Sequence, residues 1–399
     1  MSNNINIIYQ QFSKDICLFP YIAAFYSTAG HPMLTPCTMV KFTGWGIQDG
    51  SIKSSLNSNQ WTELRRNFIN GSCHTSEFCK TCSLSESNGG TSPRQLNNQY
   101  FVDHLKTDII ERIHTIIDND YKVDDLISLD YCPSNYCNYE CIMCFGGASS
   151  ARQTFEVKML KLKTSAINDS TVEKDFYDLL PNLEIINLTG GETLLQPQVY
   201  ELIDYLITND LAKNIFVSLL TNASKYPQKL LEKFKQFKNV FYTISIDGIG
   251  DVIEYQRRGA VWQDVENNAL TLLNNFGCVI NYVLTAVNVF SFLDFVDWLE
   301  KHDIGQFNQV FISLVYDRTK HLSVAIIPPE LKESLINKLT SSTHSGYYLG
   351  LINQVVDILK KSTYDPTLLD QFIKTICIED SVSKKMLVDV VPEWSPYFE

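Results

Sequence analysis

From about residue 124 the chain alternates short apolar runs with amphipathic stretches, and this alternation limits its fold more than any other feature. Residues 126–131, 183–189, 215–221, 241–246, 279–286 and 309–315 are rich in β-branched and aromatic side chains. They are nearly continuous in apolar character, as strands buried on both faces are. Residues 197–209, 227–237, 262–275 and 292–301 lie between them with helical periodicity. Such alternation implies the α/β class, with a parallel sheet and right-handed crossovers. Six units fit a partial (β/α)6 barrel or an open doubly wound sheet, and periodicity does not choose. Residues 1–120 lack the rhythm. They hold a helix near 60–68 and a loop at 83–92, and read as a small separate α+β domain. The barrel-like unit takes 121–325, and 326–399 read as a helical C-terminal extension with a polar tail.

With 399 residues, 45% of them apolar and 20% charged, the chain can build a sizeable core. A net charge of -12 argues against attraction to phosphate backbones, so nucleic acid is not expected as a partner. Lys158, Lys161 and Lys163 read as a solvated helix face. The first residues have neither the basic nor the apolar part of a signal peptide, and no uncharged apolar run has the length of a membrane span. A cytoplasmic location without membrane contact is expected. There, clustered cysteines are ligands or redox groups more often than disulfides. Eleven cysteines are present, and seven fall into two groups with ligand-like spacing. Cys73, Cys132, Cys278 and Cys377 stand apart and read as small buried or incidental residues.

The first group is Cys137, Cys141 and Cys144, a CxxxCxxC trio following the first strand of the alternating region. In parallel α/β folds that strand end is where active sites are built. A [4Fe–4S] centre usually takes four thiolates. Three would leave one iron open for a ligand, as a catalytic zinc keeps an open position. Gly146 and Gly147 suit a loop that wraps closely around an inorganic core. A structural zinc site is the competing reading, and Cys132 is a possible fourth ligand. Further polar motifs end the following strands: Thr189-Gly190-Gly191-Glu192, Thr221-Asn222 and Ser245-Ile246-Asp247-Gly248, with Arg258 downstream.

CxxxCxxC after the first strand of a six-unit α/β domain resembles the radical S-adenosylmethionine (SAM) superfamily. Met143 stands where that family usually has an aromatic residue, and Thr193 where a proline usually follows the GGE motif. The resemblance implies a [4Fe–4S] cluster on Cys137, Cys141 and Cys144 whose open iron chelates SAM. One electron then cleaves SAM to a 5′-deoxyadenosyl radical. It also implies that Gly190, Gly191 and Glu192 bind the SAM amino group. Asn222, Ser245, Asp247 and Arg258 would contact its ribose and carboxylate. An external electron donor such as flavodoxin or ferredoxin would be a partner.

The second group is Cys17, Cys37, Cys79 and Cys82, the last two a CxxC pair, with residues 25–37 reading as a hairpin. Four thiolates saturate a cluster or a zinc ion. His31, Cys73 and His74 are near enough in sequence to substitute as ligands. The pattern from ICLFPY to CKTC resembles the SPASM/twitch module, which carries an auxiliary Fe–S cluster, here placed before the barrel. SPASM/twitch relatives often modify peptides, so a peptide or protein side chain is the expected substrate. A carbohydrate or other small metabolite is the alternative. A non-catalytic Fe–S protein and a zinc-stabilised binding protein are the competing classes. The first leaves Glu192, Asp247 and Arg258 without a role.

Overall fold

The computed structural model of the chain describes residues 3–12, 15–30, 32–38, 45–71, 79–87, 91–162, 172–305, 309–315 and 317–398. His31, Cys73, His74 and Lys163 lie outside the described residues. The strands, in chain order, are β1 (Ala23–Ser27), β2 (Met33–Thr35), β3 (Ser128–Cys132), β4 (Glu140–Cys141) and β5 (Ile185–Leu188). They continue with β6 (Phe216–Thr221), β7 (Asn239–Ser245), β8 (Arg257–Arg258), β9 (Gly277–Leu284) and β10 (Gln309–Leu314).

The strands β3, β5, β6, β7, β9 and β10 pair in parallel and neighbour one another in chain order. A doubly wound sheet reverses its order at a switch point. No reversal occurs from β3 to β10. The six units are therefore wound in one direction, as a partial barrel is. Helices Pro197–Thr208, Gln228–Phe234, Trp262–Asn275 and Phe292–Lys301 fill the crossovers. Their apolar faces, such as Val199, Leu202, Ile203 and Leu206 of the first, are buried in the core.

The sheet corrects one expectation from the sequence, because its strands are not apolar on both faces. Val240, Tyr242 and Ile244 of β7 are buried, while Phe241, Thr243 and Ser245 between them are half-buried. The same alternation runs along β9, where Asn281 falls on the half-buried side. One face thus belongs to the helix-covered core. The other is partly polar and lines the barrel interior.

The stretch 1–120 does not stand apart. β1 pairs in parallel with β3, from Ala23 opposite Ser128 to Ser27 opposite Cys132, and β2 adds antiparallel to β1. All five residues of β1 are buried, so this segment behaves as a central strand and not as the edge of a separate unit. The hairpin reading of residues 25–37 agrees with β1–β2. The loop expected at 83–92 begins as a helix, Lys80–Ser87. After β10, helices Pro329–Thr340, Gly346–Lys361 and Pro366–Asp380 form the helical extension. Its tail is not merely polar: Trp394 is fully buried and donates its indole N–H to the Ala286 carbonyl at 3.0 Å. Among the described residues no helix is long and apolar enough to cross a membrane.

Candidate active site

The chain leaves β3 at Cys132 and enters a loop that β4 closes. β4 pairs antiparallel with β8, setting Glu140 opposite Arg258 and Cys141 opposite Arg257. Side-chain and backbone bonds fasten the loop elsewhere. The Asn135 amide donates to the Gly146 carbonyl at 2.9 Å, and the Asn135 carbonyl accepts the Ser150 N–H at 2.8 Å. The Cys137 N–H donates to Ser150 Oγ at 3.2 Å. A Cβ on Gly146 would lie 2.7 Å from Glu156 Oε2 and 2.9 Å from the Gln153 backbone. Helix Ser150–Lys158, at its back, therefore already requires the small residue.

Two of the three sulfurs sit beside N–H donors. The Tyr139 N–H donates to Cys137 Sγ at 3.5 Å, and the Asn222 amide approaches the same sulfur at 3.9 Å. Arg257 Nη1 lies 4.0 Å from Cys141 Sγ. Such donors favour thiolate over thiol. Burial acts the other way and raises all three thiol pKa values, with Arg257 opposing it at each. Loading a metal centre here would therefore release protons. Among the described residues the trio does not close to within 4.8 Å of one another. A single tetrahedral zinc with ~2.3 Å bonds to sulfur needs closer thiolates. Cys141 buried and Cys137 and Cys144 half-buried, spaced more widely than a zinc ion needs and with N–H groups beside Cys137 and Cys141, fit a cluster better than an ion.

The strand-end motifs converge on this loop. A Cβ on Gly191 would lie 2.1 Å from the Tyr136 carbonyl oxygen, so glycine lets β5's end touch the cysteine loop. The N–H groups of Gly191 and Glu192 donate to the Ser134 and Tyr136 carbonyls at 3.0 and 2.8 Å. The Glu192 carboxylate is buried. It accepts Thr221 Oγ1 at 2.7 Å, the Asn222 N–H at 2.6 Å and the Leu194 N–H at 3.2 Å. It therefore ties the end of β5 to that of β6. Asn222 lies against both Cys137 and Asn138. Ser245 ends β7 on the inner face, in register with Asn281.

Asp247 and Arg258 sit differently from what the sequence suggested. Asp247 is fully buried; one oxygen takes the Val283 N–H at 2.7 Å and the other the Arg257 Nε–H at 2.7 Å. Arg258 is taken up by Glu140 at 2.9 Å and by Glu379. The arginine beside the cysteines is Arg257. Two arginines in EYQRRG left that choice open. The β4–β8 register decides it, because neighbouring residues of a strand point to opposite sides.

Cys17, Cys37, Cys79 and Cys82 surround one cavity with Phe19, Phe68 and Arg94. The thiol of Cys17 is held well above its ordinary range by burial and by the other three cysteines. Helix Pro93–His104 organises this group. Its Asn98 accepts the Leu18 N–H at 2.9 Å and donates to the Ile16 carbonyl at 2.7 Å, clasping the backbone on both sides of Cys17. Its Arg94 pairs with Glu86 of the helix that carries Cys82. Of the described cysteines outside the two groups, Cys278 is buried, Cys132 half-buried and Cys377 exposed.

Residues 131–299 match the sequence pattern described as the radical SAM superfamily. This part of the chain is a radical SAM domain. The superfamily is one of enzymes, and membership implies a [4Fe–4S] cluster and SAM as cofactors. The chain is also similar to an uncharacterized protein of Methanocaldococcus jannaschii, MJ0907. The two are 27% identical over 227 residues, which is 54% of this chain and 72% of that protein. Among solved structures it is similar to anSMEcpe with bound AdoMet and the Cp18Cys peptide. That match has 19% identity and a TM-score of 0.36, and covers 53% of this chain and 58% of the other. It is similar to Streptococcus suis SuiB bound to the precursor peptide SuiA at 14% identity and a TM-score of 0.39, over 86% and 74% of the two chains. The chain thus spans little more than half the length of the anSMEcpe chain.

Proposed function

We propose that the chain is a radical SAM enzyme that abstracts a hydrogen atom from a peptide or protein side chain held inside the barrel. The observation that carries this reading is the trio Cys137, Cys141 and Cys144 beyond the C-terminal end of β3, with N–H groups of Tyr139, Asn222 and Arg257 turned toward the Cys137 and Cys141 sulfurs. The trio would hold the [4Fe–4S] cluster. When reduced by a donor such as flavodoxin or ferredoxin, that cluster supplies the electron that splits SAM into methionine and a 5′-deoxyadenosyl radical. The protein's own part is placement and the exclusion of water. Asn222, against Cys137, and Ser245, on the inner face at the end of β7, are the side chains proposed to meet SAM. Gly190, Gly191 and Glu192 hold the cysteine loop against the sheet. Asp247 orients Arg257, whose guanidinium is the fixed positive charge nearest Cys141. Cys17, Cys37, Cys79 and Cys82 are proposed to carry an auxiliary Fe–S cluster. The test is reductive cleavage of SAM by anaerobically purified protein. Wild type should yield 5′-deoxyadenosine and Cys141→Ala none. Wild-type yield from the variant would end this reading.

A further inference from the structure

Below the layer that carries Asn222 and Ser245 the barrel interior opens into a cavity of about 730 Å³. That is within the ~300–1,000 Å³ of ordinary ligand pockets. Its sheet wall is set by register. Asn187 lies opposite Ser218, and Ser218 opposite Phe241, in one row across β5, β6 and β7. Thr243, which also lines the cavity, is two residues short of Ser245. Two residues along a strand are ~7 Å. The cavity begins at the strand starts, where Phe216 and Asn239 open β6 and β7, and its lining ends one such step short of the layer that carries Ser245.

The opposite wall is helix Pro93–His104, through Asn97, Tyr100 and His104. The Tyr100 and His104 rings stack with centroids 4.4 Å apart, and His104 lies 6.4 Å from the Phe216 ring. This makes an aromatic surface facing a hydrogen-bonding one. Asn97 also lines the four-cysteine cavity, so the two spaces share a wall in this helix.

The chemistry of the lining restricts the occupant. No carboxylate lines it directly, Asp130 being set behind Asn187 and hydrogen-bonded to that amide, and its one ammonium, Lys238, is exposed. An anionic group inside would find only that exposed ammonium, and a cationic one would find the Asp130 carboxyl already bonded to Asn187, so a charge there is costly. Asn97 gives one amide hydrogen to the Pro93 carbonyl and Asn187 one to Asp130, while the Asn239 oxygen takes the Val240 N–H; the capacity each amide keeps beyond these bonds complements a peptide bond. The stacked rings offer a face to an aromatic side chain. Resting on the radical SAM reading above, we infer that this cavity binds the substrate, and that the substrate is an uncharged peptide segment bearing an aromatic residue.

The test is calorimetric titration of the anaerobic, cluster-loaded protein with acetyl-Ser-Tyr-Asn-amide, acetyl-Asp-Tyr-Glu-amide and methyl β-glucoside. The neutral peptide should bind, and the acidic one more than about tenfold more weakly. Ser218→Trp, which fills the cavity from the sheet side, should weaken the neutral peptide by about tenfold or more. Tyr100→Ala, on the helix side, should weaken it about three- to tenfold. No binding of the neutral peptide, binding indifferent to both variants, or preference for the acidic peptide or the glucoside would overturn the inference. SAM cleavage is measured separately on the same samples. Cleavage without peptide binding rejects this inference alone, and peptide binding without cleavage rejects the radical reading alone.

Discussion

The cysteine loop is clamped from behind by a buried charge, and removing that charge has a calculable cost. Glu379, near the end of helix Pro366–Asp380, is 2% exposed. It pairs with Arg152 at 2.7 Å and with Arg258, and Arg258 in turn holds Glu140, the neighbour of Cys141. Both guanidinium groups lie over the Phe155 ring, at 4.5 and 4.7 Å. Glu379→Ala leaves two cations with reduced compensation. Losing one partner of a buried pair costs ~3–5 kcal/mol. Arg258 keeps Glu140, and Arg152 keeps only Glu156 at 3.8 Å, so the lower end applies, about 3 kcal/mol. Urea unfolding of the reduced apoprotein, followed by tryptophan fluorescence, measures it. A cycle with Arg152→Ala isolates the pair, with an expected coupling of about 1–3 kcal/mol. A loss below ~1 kcal/mol, the worth of an exposed ion pair, would refute the clamp.

Two further outcomes follow from the same geometry. The Asp130 carboxyl, on the inner face beside Asn187, is raised from 3.8 to about 6 by burial, against the hydrogen bond from Asn187. Folding therefore favours its protonated form. Its stabilising contribution is full below about pH 4 and is lost as pH rises through about 6, on the order of 3 kcal/mol. Asp130→Asn should flatten that part of the stability profile, and an unchanged slope would contradict the assignment. For the second cysteine group, Cys79→Ala with Cys82→Ala should remove roughly half of the bound iron and leave the trio's share. Loss of zinc instead would make that site structural.

Much of this was legible in the sequence, and the failures have physical causes. The alternating runs from 126 to 315 located the six parallel strands within a few residues. The trio's place after β3 followed from the same rhythm. The inner face was misread because Asn187, Ser218, Thr243, Ser245 and Asn281 are isolated polar residues inside apolar runs. Only Thr243 and Ser245 share a strand, so a two-residue spacing was available as a signal in β7 alone. β1 was missed as part of the main sheet because pairing it with β3 joins residues about a hundred positions apart, which no local pattern encodes. Arg258 was chosen over Arg257 because only cross-strand register separates adjacent side chains. Glu379 carried no signal at all, since its partners come from the cysteine-loop helix and from β8.

The central claim is that Cys137, Cys141 and Cys144 hold a cluster with one iron open to SAM. Electron paramagnetic resonance of the reduced protein, before and after SAM is added, tests it directly. The account predicts that SAM shifts the g-values of one cluster signal, and that this signal is missing in Cys141→Ala. A cluster signal in wild type that is indifferent to SAM would contradict it.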